Sequence, residues 1–184
     1  MDHNHTSCCC DHHIKDRTGI TNRWLFSLCL ILVLILFTKP FMTDQLVKRA
    51  DAYYCAGLYD DAIRQYKKAL LLDRSDNDIW VSLGNSFEAN KEVNKAIAAF
   101  RQAVKIAPED RAANFNMGMA FVISKDYNSA VVYFQKVKSL GAEPKEQLIG
   151  GNFSHYKASL KMLAICFEKL HEFEKAATIR EEFK

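Results

Sequence analysis

Within four stretches of the chain, about 43–76, 77–110, 111–144 and 157–184, apolar residues fall three and four apart, the spacing of one helix face. A longer rhythm overlies this one. Tyr53, Phe87 and Phe121 lie 34 apart, as do Ala62, Ala96 and Ala130, and Tyr66, Phe100 and Phe134. That period predicts helical hairpins that stack, because one hairpin cannot bury its apolar face alone. The expected class is therefore all-α, a solenoid of antiparallel helix pairs. Such solenoids present a concave surface that usually binds other proteins.

The stretch 77–110 is the clearest: Trp80, Leu83, Gly84 and Phe87, then Ala96 and Phe100, then Ala103 and Pro108. This order and spacing resembles the tetratricopeptide repeat. The preceding unit keeps Leu46, Ala50, Tyr53, Ala62, Tyr66 and Ala69 but lacks the tryptophan, glycine and closing proline. The following unit keeps Met117, Gly118, Phe121, Ala130 and Phe134, with Asn114 where Trp80 stood. The fourth is degenerate: Leu160, Leu163, Ala164, Phe167, Ala176 and Phe183 match, and Arg180 replaces an aromatic. The resemblance implies a right-handed solenoid over 39–184. It also implies that Gly84 and Gly118 let paired helices approach closely while aromatics fill the gaps. Pro108 closes the second unit because proline cannot continue a helix interior.

Phe121 and Phe167 are separated by 46 residues, so an insertion of about 145–156 precedes the last unit. The surrounding segment Gly141 to Ser154 holds three glycines and a proline, which reads as a loop.

Upstream, Trp24 to Phe37 forms a 14-residue apolar run between Arg23 and Lys39. The 15 positions between those charges reach about 22 Å, short of the roughly 30 Å of a hydrocarbon core. Snorkelling of Arg23 and Lys39 and local bilayer thinning narrow that gap. The alternatives are a cleaved signal and a buried helix. The first lacks its small-residue cleavage pattern after Phe37. The expectation is a transmembrane or signal-anchor helix at 24–38 in a single-pass membrane protein. The charges nearest the run weakly favour a cytoplasmic tail with the repeats on the far side. Pro40 is expected to open the first helix of the first unit.

Residues 1–23 read as a disordered, His/Cys-rich tail. Its first 13 residues carry His3, His5, His12 and His13 with Cys8, Cys9 and Cys10, donors suited to a transition metal. The spacing fits no C-x2-C site, so an inert tail and S-acylation stand beside metal contact. Cys55 and Cys166, in the repeats, read as small buried residues. The net charge of +3 comes from dispersed basic residues, and no basic stripe suggests nucleic acid. No phosphate loop or nucleophile–base pair is present, so no catalysis and no cofactor are expected.

The resemblance implies that the first helix of each unit lines the concave face. It assigns the partner-binding groove to Asp44, Asp51 and Tyr54, then Asp78, Asn85 and Glu88. Phe115, Met119, Val122 and Lys161 follow in the later units. Some members of the family clamp a carboxylate terminus with Lys and Asn in this groove. Asn85 matches one such position, but Val47, Asp51 and Ala112 occupy others, and Asp44, Asp51 and Asp78 would repel a carboxylate. The expected ligand is a segment with basic and apolar residues. The resulting expectation is a membrane-anchored adaptor or scaffold. Its alternative is a metal-binding membrane protein that uses the tail as ligand and the repeats as a docking module.

Overall fold

The computed structural model describes residues 18–142 and 154–182. Eight helices occur among the described residues: α1 (Thr18–Cys55), α2 (Tyr59–Leu72), α3 (Asn77–Ala89), α4 (Val93–Ile106), α5 (Arg111–Ile123), α6 (Tyr127–Ser139), α7 (His155–Lys169) and α8 (Phe173–Glu182). The chain divides into two units, 1–40 and 41–184.

In the first unit, Trp24, Leu25, Phe26, Leu28, Leu30, Ile31 and Leu32 are exposed along α1. The expectation of a membrane-spanning segment is not met. Among the described residues, no helix is long and apolar enough to cross a membrane. The apolar run from Trp24 to Phe37 is only 14 residues, about 21 Å of helix against roughly 30 Å of hydrocarbon. Charged residues flank it within the same helix. Neither the single-pass localisation nor the cytoplasmic placement of the tail therefore stands. Pro40 also differs from its expected role: it lies inside α1 rather than at the start of a new helix. The His/Cys tail and residues 143–153 fall outside the described residues. The end of the expected insertion is helical, since α7 begins at His155.

The second unit is a stack of helix pairs. Leu46, Val47, Ala50 and Tyr53 of α1 pack with Ala62 and Tyr66 of α2. The pairs α3/α4, α5/α6 and α7/α8 follow, and α2, α4 and α6 each also pack on the helix after them. The close approaches occur where glycine allows them. A Cβ added at Gly84 would lie 2.4 Å from Phe100 Cε1, and one at Gly118 would lie 2.6 Å from Phe134 Cε1. Both phenylalanines are fully buried. Helix starts are tied down by side chains: Asp76 accepts from the N–H groups of Asp78 and Ile79, Asp110 from Ala113, Asp126 from Ser129 and Ser154 from Lys157. Such caps satisfy amides that have no partner within the helix.

Asn114, standing in the tryptophan position, is buried and satisfied. Its Nδ2 donates to the carbonyls of Asp110 at 2.7 Å and Pro108 at 3.0 Å. Trp80 instead donates from Nε1 to the Arg74 carbonyl at 3.0 Å. Of the repeat cysteines, Cys166 is buried as expected, and burial pushes its thiol up to about 11. Cys55 is exposed, because it ends α1 at the hairpin turn.

Each hairpin turns through the same backbone device. The N–H groups of Leu58, Glu92, Asp126 and Glu172 donate back to the carbonyls of Tyr53, Phe87, Phe121 and Phe167. The residue before each donor has positive φ: Gly57 at 75°, Lys91 at 61°, Lys125 at 63° and His171 at 61°. This is a Schellman-type helix ending, which favours glycine at the left-handed position. Three of the four turns carry a side chain there, at a cost of roughly 1–2 kcal/mol relative to right-handed backbone. Replacing exposed Lys125 by glycine should therefore raise the thermal midpoint, with a net gain of about 0.5–1 kcal/mol after glycine's extra unfolded-state entropy. Thermal melting followed by circular dichroism checks this. An unchanged or lower midpoint would show that the lysine bears no strain.

Candidate functional site

The first helices of the four pairs, α1, α3, α5 and α7, carry the residues assigned to the groove, and α3 packs on α5 and α5 on α7. At the α1 end, two expected acids are already engaged. Asp44 is ion-paired with Lys48 at 2.7 Å. Asp51 accepts a hydrogen bond from the Tyr66 hydroxyl, which crosses from α2. Burial, together with that neighbouring carboxylate, pushes the Tyr66 phenol well above its ordinary range. The Tyr54 ring lies 5.6 Å from that of Tyr59, centre to centre. Burial raises its phenol, as do nearby Tyr59, Glu88 and Cys55.

On α3, burial raises the Asp78 carboxyl, and the Asp76 and Asp110 charges add to the effect. Glu88 is half-buried one helix across from Tyr54, and burial raises its carboxyl too. Among the described residues no cation pairs with Glu88. Asn85 accepts from Asn116 Nδ2 at 3.2 Å, which links α3 to α5.

Further along, Phe115, Met119 and Val122 of α5 are half-buried against one apolar cluster. The Phe115 ring meets those of Phe134 at 5.7 Å and His155 at 5.6 Å. Lys161 is exposed on α7. The structure thus brings Tyr54 near Glu88 and groups Phe115, Met119 and Val122. It turns Asp44 and Asp51 towards partners within the chain. Sequence reasoning missed Asn116 and His155, which hold Asn85 and Phe115, and it read Tyr66 as a core position without its hydrogen bond to Asp51. The 34-residue offset marks equivalent positions and not the contacts between them.

The metal ligands expected at His3, His5, Cys8, Cys9, Cys10, His12 and His13 lie outside the described residues. Among the described residues, no group of three or more His, Cys, Asp or Glu side chains could hold a metal ion.

Stacked helix pairs of this length, with α3/α4 and α5/α6 each closed by a glycine facing a phenylalanine, define the tetratricopeptide repeat, and the chain belongs to that family. The family model, tetratricopeptide repeat, matches residues 47–111 and 93–143. Among solved structures, the chain is similar to MamA protein, with a TM-score of 0.66 at 19% identity over 81% of this chain and 75% of that one. It is also similar to MamA residues 41 to the end from Desulfovibrio magneticus RS-1, at 0.64 and 18% over 77% and 73%. The Sgt2 tetratricopeptide domain from Aspergillus fumigatus gives 0.59 and 20% over 73% and 83%. These identities speak to the fold alone. A comparison with curated proteins gave no match.

Proposed function

We propose that this chain is a non-catalytic adaptor that holds partner polypeptides on the face built by α1, α3, α5 and α7. The bound segment carries a cation followed by apolar side chains. One observation carries this reading: Glu88 is half-buried on that face with its charged form disfavoured and, among the described residues, no cation pairs with it. A ligand lysine or arginine would supply the missing charge, and Phe115, Met119 and Val122 would take the apolar residues that follow. Asp78 adds to the negative potential, which speeds encounter with a basic segment. Asp44 and Asp51 contribute less, because each already has a partner.

Glu88→Gln tests both halves of the argument. The raised carboxyl means that the folded chain holds the proton more tightly than the unfolded chain does. Stability from this group is therefore full below the ordinary value of 4.5 and is lost as pH rises through the higher folded value. The variant should melt higher than the parent at neutral pH, and that gain should vanish on acidification below 4.5. In calorimetry with a synthetic Lys/Leu-rich peptide, Glu88→Gln should weaken binding by about tenfold and flatten its salt dependence. Met119→Ala should mainly speed dissociation. Peptide binding that both variants leave unchanged would place the ligand elsewhere.

A further inference from the structure

The outer side of the first full repeat carries a second, chemically opposite surface. α2 and α4 both pack on α3 and leave a cleft between them of about 1010 Å³. Trp80, Leu83 and Phe87 of α3 form its floor, with Leu71 of α2 and Ile106 of α4 on the walls. Leu71 is 74% exposed, so this apolar surface opens to solvent.

The cleft exists because one side chain is small. In the next repeat, Tyr133 of α6 stacks on Phe121 at 5.6 Å. The position one period earlier is Ala99, so no ring stacks on Phe87 from α4, and on that side Lys67 and Lys95 lie over it. Their ammonium groups sit 5.3 and 5.7 Å from its centre.

The rim is of one sign. Lys67, Lys68, Arg74, Lys95 and Lys105 line the cleft, and among the described residues no acidic side chain does. Lys95 pairs with Glu92 at one end. Lys68, Arg74 and Lys105 have no ion-pair partner among the described residues. An apolar trough bordered by uncompensated cations attracts an apolar surface bordered by carboxylates. On α4 the lining runs from Lys95 to Ile106, so the trough matches a helix of about 18 Å.

We infer that the cleft between α2 and α4 docks an acidic amphipathic helix of a partner protein. Its apolar face lies on Leu71, Trp80 and Ile106, and its carboxylates meet Lys68, Arg74 and Lys105. This is a helix-in-groove contact, with anchors three and four residues apart on the ligand. It is separate from the α1/α3/α5/α7 face in both position and charge, so the chain joins a basic segment on one side to an acidic helix on the other.

Calorimetry on the full-length chain tests this with a synthetic helical peptide that carries Leu at helical spacing and Glu on its flanks. Saturable binding that weakens with salt is expected. Ala99→Tyr, which fills the trough as Tyr133 does one repeat later, should reduce affinity by roughly tenfold or more. The surface variant Lys68→Glu/Arg74→Glu/Lys105→Glu does not touch the core and should abolish the salt-sensitive part of binding. Glu88→Gln should leave this peptide's affinity unchanged, which separates the cleft from the other face. Four results would each overturn the proposal: no saturable binding of the acidic peptide, equal binding of a peptide with Lys for Glu, affinity unchanged in both cleft variants, or cleft-dependent binding of phosphatidylserine vesicles in place of the peptide.

Discussion

The full-length chain carrying Gly84→Ala is expected to melt well below the parent, and Gly84→Leu lower still. The first Cβ would stand 2.4 Å from Phe100 Cε1, and three carbons of that ring lie within 2.8 Å of it. Phe100 is 0% exposed, so the ring has no free space to enter. Relief requires α3 and α4 to separate, which strips contact from Ala96 and Ala103 as well. Overpacking of this kind costs about 1–3 kcal/mol for one added carbon and more for a branched side chain. Phe100→Leu should recover part of the loss in the Gly84→Ala background although it destabilises the parent, because the two positions share one contact. Thermal melts of the two single variants and the double variant decide the matter. Strictly additive losses would mean that the glycine is not there to admit the ring.

Phe134→Ala should be comparably severe, for the opposite reason. Phe134 is fully buried between Gly118 and the Phe115 ring, so truncation leaves a cavity that the glycine cannot fill. Loss of a buried phenylalanine costs about 3–5 kcal/mol. The damage should be local. Phe134 belongs to the cluster that includes Leu160, Leu163, Phe167 and Ile179, whereas Leu83, Phe87 and Phe100 belong to the other. Repeat arrays pass stability only between neighbours. Amide exchange should therefore accelerate most in α6, α7 and α8 and least in α2 to α4. Uniform acceleration would show that the array melts as one body. Since Phe115 rests on Phe134, the same variant should loosen the apolar end of the proposed binding face.

The hairpins were legible because their signal is redundant. Gly84 opposite Phe100 and Gly118 opposite Phe134 are fixed by sequence offset, and the structure closes each pair. The turns were less legible. Their shared left-handed residue is Gly57 once, Lys91, Lys125 and His171 otherwise, so composition conceals a backbone condition that geometry reveals. The expected groove was legible only as positions. Which acids would stay available depended on Lys48 and Tyr66, and their contacts come from helix packing and side-chain reach. The cleft over Phe87 was visible in principle as Ala99 set against Tyr133, a loss of volume at a repeat position outside the motif. The membrane reading failed on length: an apolar run must be long enough as well as apolar.

Helix α5 belongs to both apolar clusters. It gives Met117 and Ala120 to the first and turns Phe115, Met119 and Val122 towards the second, while Phe121 packs against both. The unit written in the sequence and the unit that packs are thus out of phase by one helix. A segment cut at the repeat border near Asp110 would carry away two residues that complete the core before it. The first core joins α1 to α4 with a borrowed α5, and the second joins α6 to α8 with the same helix, so grafting, trimming or shuffling the repeats has to follow the seam at α5 and not the 34-residue ruler.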